Sequence, residues 1–104
     1  MAALSFEKIG PTQFKLAGEL DLAAATDLSR ILERDLPPDG DVTFDLSEVL
    51  FMDSAAIGVF AKVARLREGR GRMVLVSPTR AVRLALEMVR LDVRENIVIV
   101  DRLG

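Results

Sequence analysis

The chain has 104 residues, half of them hydrophobic and 29% charged, with a formal net charge of -2. That composition fits one ordered domain spanning residues 1–104, and its scattered charge offers no broad attraction for a phosphate backbone, so direct nucleic-acid binding is not expected. With no Cys and no His, the chain lacks disulfides, thiolate nucleophiles, the usual zinc ligands and the imidazole base of most hydrolytic triads.

At the N-terminus, Met1 to Glu7 has no basic segment leading into a long apolar core, which argues against a signal peptide. No run approaches membrane-spanning length either, and a cytoplasmic location without membrane contact is the expectation. From Leu4 to Ile9, apolar Leu4 and Phe6 alternate with Ser5 and Glu7 before the turn pair Gly10-Pro11. Gln13 to Ala17 repeats the alternation, so the two segments read as an antiparallel hairpin closed by Gly18-Glu19-Leu20-Asp21. From Leu22 the period becomes helical, with Ala24, Ala25, Leu28, Ile31, Leu32 and Leu36 on one face, until Pro37-Pro38-Asp39-Gly40 stops the helix.

Val42 to Leu46 alternates as a strand, and Ser47 to Met52 reads as a largely apolar connection packed under the next helix. That helix opens at Asp53 or Ser54, both good N-cap residues, and runs to about Glu68, where Gly69-Arg70-Gly71 ends it. Arg72 to Val76 is the next strand, joined by a parallel crossover. Ser77-Pro78 suits a helix start, serine as N-cap and proline at the first helical position, with Ala81, Val82, Leu84, Ala85, Met88 and Val89 as its buried side. Ile97 to Val100 has no polar face, as expected of a strand covered on both sides or locked inside the sheet. The order is α/β: an N-terminal hairpin, then alternating strands and helices, giving a mixed sheet with helices packed mainly on one face.

Function is expected at the junction Phe51-Met52-Asp53-Ser54-Ala55-Ala56-Ile57-Gly58-Val59, at the carboxyl end of a strand, where ligand sites of open sheets gather. Advancing about 100° per residue from Ser54 puts Gly58, Lys62 and Arg65 in one narrow polar arc, with apolar side chains filling the rest of the circle. Ser54 then sits at an exposed helix tip, where the oriented N–H groups tolerate an anion. Two readings stand there, a helix cap and a phosphoacceptor, and one serine can be both. Gly58 costs roughly 1 kcal/mol against alanine inside a helix, so close approach either by a partner or by another part of the domain is implied. Lys62 and Arg65 read as a solvated face or as partner contacts, and Glu19 and Asp21 as a strand-end cap or as part of the same docking surface.

Asp45-Leu46-Ser47 through Asp53-Ser54-Ala55-Ala56-Ile57-Gly58-Val59, preceded by Leu16-Ala17-Gly18-Glu19-Leu20-Asp21, resembles the STAS domain of bacterial anti-sigma-factor antagonists across nearly the whole chain. The resemblance implies a STAS-like mixed sheet and phosphorylation of Ser54 by an anti-sigma factor with a histidine-kinase-like ATPase fold that acts as a serine kinase. The unphosphorylated antagonist would bind that kinase and free its sigma factor, and a metal-dependent serine phosphatase would reset it. Asp53, Ser54, Gly58, Lys62, Arg65, Glu19 and Asp21 are the implied partner-binding residues. Two positions depart from the common pattern: Ala56 stands where the family has glycine, and Ala55 where many relatives carry a second hydroxyl residue.

No cofactor is expected. Asp45 and Asp53 make a poor divalent-metal site without further oxygen ligands. An enzyme with Ser54 as nucleophile and Lys62 as base lacks both proximity and a Gly-x-Ser-x-Gly elbow. The remaining alternative is a constitutive STAS adaptor subunit of a lipid-transport ATPase or a stress-signalling assembly, with no phosphorylation cycle.

Overall fold

The computed structural model describes residues 5–91 and 94–101, which leaves Leu4 of the expected first strand outside the described residues. Its elements are β1 (Ser5–Gly10), β2 (Gln13–Leu20), α1 (Leu22–Asp35), β3 (Val42–Met52), α2 (Ser54–Leu66), β4 (Met73–Val76), α3 (Arg80–Met88) and β5 (Ile97–Val100). The strands lie in one sheet in the order β1-β2-β3-β4-β5; β1 runs antiparallel to β2 and the other pairs are parallel. Each parallel crossover moves one strand in the same direction, and the shared right hand of such crossovers gathers the helices on one face of the sheet. Burial agrees with that: Phe14, Leu16, Leu20, Val42, Phe44, Met73 and Leu75 are buried, while the alternate residues Lys15, Glu19, Thr43 and Asp45 are only half-buried on the open face.

A line of phenylalanines crosses the core. Ring centroids are 5.2 Å apart for Phe6 and Phe14, 5.7 Å for Phe14 and Phe44, and 5.1 Å for Phe44 and Phe60, the last pair edge to face. β1, β2, β3 and α2 are thereby tied together by geometry that aromatic quadrupoles favour. Ala24, Ala25, Leu28 and Leu32 of α1 are buried as their spacing predicts.

The segment Ser47 to Met52 departs from expectation: it continues β3 to Met52 instead of forming a connection. Pairing with β2 is kept by two register shifts, between Lys15 and Ala17 and between Gly18 and Glu19, each of which fits one extra residue into β3. Every extra residue flips the alternation, so the buried positions run Phe44, Leu46, Val49, Met52, and Leu50 and Phe51 are exposed rather than packed under α2. Gly18, at φ +101°, supplies the left-handed backbone that β2 needs beside the second shift.

Three further expectations are corrected. On α3 the buried residues are Val82 and Leu86, while Ala81, Leu84, Met88 and Val89 of the expected buried side are exposed, because the helix is rotated to turn Val82 and Leu86 onto the sheet. Thr79, not Ser77, caps α3: its hydroxyl accepts from the Val82 N–H and donates to the Val49 carbonyl at 2.9 Å, while Ser77 sits at φ +50° as a turn residue. β5 is an edge strand, with Ile97 buried and Val98, Ile99 and Val100 half-buried, because strand order places it last and no element lies beyond it among the described residues.

At the end of the sheet opposite the start of α2, two loops are clamped together. Arg67, 2% exposed, donates to the Gly40 and Pro37 carbonyls. Burial opposes its charge, and Asp39 and Asp41 offset part of that cost. The Gly40 N–H donates to the Arg70 carbonyl at 3.0 Å, and the loops lie so close that a Cβ on Gly71 would clash with the Gly40 carbonyl. Arg72 N–H donates to Asp41 Oδ1 at 2.8 Å, which holds the Asp41 carboxyl below the usual carboxylate range.

Replacing Arg67 by Met leaves two carbonyls without their donor and is expected to cost about 2–4 kcal/mol in urea unfolding at neutral pH. Because the folded-state pKa of Asp41 is depressed, its contribution is present above the unfolded value of about 4 and is lost as pH falls through the folded value. Asp41→Asn should therefore lower stability at neutral pH and lose less than the wild type on acidification, read from unfolding curves across the acid limb.

Candidate functional site

Adjacent parallel strands deliver two helices side by side. β2 ends in Leu20, and Asp21 caps α1 by accepting from the Ala24 N–H at 2.9 Å; β3 ends in Met52, and Asp53 caps α2 by accepting from the Ala56 N–H at 3.1 Å. The caps share an extended backbone, φ -87° and -89°, and the Asp53 N–H donates to the Leu20 carbonyl at 3.0 Å, locking one turn to the other. The sequence repeats with the geometry: Leu20-Asp21-Leu22-Ala23-Ala24 beside Met52-Asp53-Ser54-Ala55-Ala56. Leu22 and Ser54 occupy equivalent places, each the exposed first residue of its helix.

This settles the capping role. Asp53 carries it, so Ser54 is a helical residue with an exposed side chain, and its hydroxyl has no hydrogen-bond partner among the described residues. Ala56 is wholly buried, so its methyl faces the core and leaves the exposed surface unchanged.

Gly58, Lys62 and Arg65 follow Ser54 along the exposed stripe of α2, as the helical arc predicts. A Cβ built on Gly58 meets nothing within 4 Å, which removes close packing inside the domain as the reason for a glycine there. Lys62 and Arg65 form no ion pair among the described residues. Asp21 joins Asp53 and Ser54 at the helix starts. Glu19 does not: it is paired in register with Phe51 on the open sheet face, where Lys15 and Glu48 also meet at 2.5 Å.

Sequence reasoning missed the apolar surroundings of Ser54. Leu22, the first residue of α1, and Leu50, four residues before Ser54, are 67% and 58% exposed, while Phe51, 39% exposed, lies in register with Glu19 on the open sheet face. The signal was the break in alternation after Leu46, which marks bulges rather than a buried connection. Between the two helices runs a crevice lined by Leu22, Ala25 and Ser29 on one side and Ala55, Val59 and Lys62 on the other.

Chemically the site presents an accessible hydroxyl beside a fixed carboxylate. Asp53 is spent on the Ala56 N–H, and Lys62 lies about two helical turns away, so neither is placed to take the Ser54 proton. No helix among the described residues is long and apolar enough to cross a membrane.

Residues 7–101 match the protein family described as "Mlab, STAS domain". Among solved structures, a candidate anti-sigma factor antagonist from Thermotoga maritima superposes with a TM-score of 0.76 at 22% identity, covering 96% of this chain and 87% of that one. SpoIIAA, an anti-sigma factor antagonist solved in its unphosphorylated form, superposes with a TM-score of 0.65 at 19% identity, covering 97% and 90%. At such identities the likeness is one of fold. No curated protein matches the chain significantly.

Since a methyl on Gly58 meets nothing, Gly58→Ala is expected to stabilise the isolated domain by about 0.5–1 kcal/mol through helix propensity. Asp53→Ala should do the reverse, losing about 1 kcal/mol of capping. Denaturant midpoints at constant slope measure both, and a destabilised Gly58→Ala would contradict the open space described.

Proposed function

The chain belongs to the STAS domain family, and on that premise we propose that it is an anti-sigma-factor antagonist working by partner switching. The observation that carries this reading is the free, exposed hydroxyl of Ser54 in an apolar surround, with Asp53 beside it doing the capping. Unmodified, this surface docks on an anti-sigma factor, an ATPase of histidine-kinase-like fold that is also the serine kinase, and its sigma factor is released. A phosphoryl group adds roughly -1.5 to -2 charge at the centre of the docking surface, next to the Asp53 carboxylate. Like-charge repulsion and the loss of a desolvated contact then cost about 2–5 kcal/mol of affinity, and a metal-dependent serine phosphatase restores the binding form.

The second helix keeps its shape through this cycle. Its cap is Asp53, so modification of Ser54 breaks no capping bond, and the helix N-terminus favours the added negative charge. The switch thus acts on the partner's side of the contact, with no rearrangement of the domain. Gly58 fits the same picture, since with open space around it a partner backbone can approach α2 closely.

A second reading is a constitutive STAS adaptor subunit of a lipid-transport ATPase or stress-signalling assembly. It is favoured by the description of the matched family, which names Mlab rather than an antagonist.

One experiment separates them. The protein is incubated with lysate of its native host and ATP, phosphate is located by intact mass and peptide mapping, and captured ATPases are identified, with Ser54→Ala as control. Switching predicts a single phosphate at Ser54, absent from the variant, and capture weakened about 30-fold or more by the modification. Stable capture of a transporter ATPase with Ser54 unmodified, under conditions that phosphorylate a control antagonist, would support the adaptor.

A further inference from the structure

The two edges of the sheet are built differently. β1 carries Glu7 and Lys8 and ends in a register shift at Gly10, which are the usual devices that stop an edge from pairing. β5 is Ile97-Val98-Ile99-Val100, without a polar residue or a bulge. Beside it on the open face lie half-buried Val74 and buried Val76, in register with Val98 and Val100, so that this half of the face is apolar while the half over β2 and β3 carries Lys15, Asp45 and Glu48.

The hydrogen bonds fix which groups of β5 point outward. Met73 N–H donates to the Asn96 carbonyl and Ser77 N–H to the Val100 carbonyl, so even-numbered residues of β5 serve β4. The N–H and C=O of Ile99, the C=O of Ile97 and the N–H of Asp101 face away from the sheet. No described residue takes them up; the Ile97 N–H is occupied by the Arg94 carbonyl and the Asp101 carbonyl by the Ser77 hydroxyl.

We propose that the β5 edge pairs with β5 of a second copy of this chain, antiparallel about Ile99, to form a closed two-fold dimer with one continuous sheet. This pairing uses the outward groups that remain. Ile99 exchanges two bonds with its mate, and each Asp101 N–H donates to the Ile97 carbonyl opposite, four bonds in all by this alternation. It sets Val98 against Val100 of the mate on the open face and Ile99 against itself on the core face, and leaves Ile97, already buried in its own core, opposite Asp101 of the mate.

Charge selects the same partner. Each Asp101 arrives with its own Arg83 bound at 2.8 Å, so no unpaired charge is set against the apolar edge. The competing head-to-tail contact, β5 against β1 of another copy, would bring Glu7 and Lys8 onto valine and isoleucine and would grow without closing. Five residues a side is a small contact beside the roughly 800 Å² per partner of a standard interface, so association is reversible and concentration-dependent. β5 lies two strands from β3 and the Ser54 end, which stays open in the dimer, and the proposal stands apart from the partner-switching reading.

The test is sedimentation equilibrium of the full chain from about 10 μM to 1 mM, with Val98→Lys and Val74→Lys as variants and circular dichroism as the check on folding. Wild type is expected to reach dimer and no further. Val98→Lys, at the pairing line, should weaken association about tenfold or more, and Val74→Lys, one strand inward, should leave it within about twofold. In the wild type, hydrogen exchange of the Ile99 amide should slow as concentration rises, which keeps the test informative if Val98→Lys fails to fold. A monomer at the highest concentration, oligomers beyond a dimer, an unaffected Val98→Lys, or an Ile99 amide indifferent to concentration would overturn the proposal.

Discussion

Everything at the exposed end of α2 depends on how that helix is rotated, and the rotation is set by Phe60. Its ring meets Phe44 edge to face, and Phe44 in turn stacks on Phe14. A buried phenylalanine is worth about 3–5 kcal/mol when truncated, against about 1 kcal/mol for an N-cap. Packing therefore decides which way α2 faces, and Asp53 only finishes its end. With Phe60, Ala56 and Ala64 wholly buried, the residues on the far arc have no choice but to face water. The free hydroxyl of Ser54 is a consequence of the core as much as of its own position.

The strand before it is shaped to the same end. β3 spends two extra residues against β2, and each one turns a side chain outward that simple alternation would have buried. The result is a strand that carries the core up to Met52 and yet leaves Leu50 exposed shortly before the helix start and Phe51 exposed on the open face. The cost of desolvating such apolar side chains is low, which is what the proposed docking of a partner would require. The twin arrangement at α1, with Leu22 in the place of Ser54, makes one half of the pair apolar and gives the other an exposed hydroxyl.

Much of this was legible in the sequence because it rests on local pattern. The hairpin, α1 and the polar arc of α2 follow from periods of two and 3.6, and they stand where the pattern put them. The Asp-Ser pair located the junction, though the division of labour within it, Asp53 as cap and Ser54 free, needed coordinates. What failed to show has a common cause: it depends on a distant segment. The length of β3 was hidden because bulges erase alternation. The edge position of β5 is a matter of strand order, and an apolar run looks the same at an edge as in the middle. Thr79 outdid Ser77 as a cap because Val49 offers its hydroxyl a carbonyl. Arg67 resembled any basic residue in a last helical turn until the Pro37–Gly40 loop came to meet it.

Strand order follows chain order without a single skip. Each βα unit therefore docks on an edge that the preceding residues have already made, and no strand waits for a later one to be inserted beside it. Loop closure is paid in short instalments, with contacts of low sequence separation forming before longer ones. A chain emerging from the ribosome can accordingly fold as it is made, with the hairpin as template, α1 and α2 laid down in turn, and the Ser54 surface complete before the last two strands have left the tunnel.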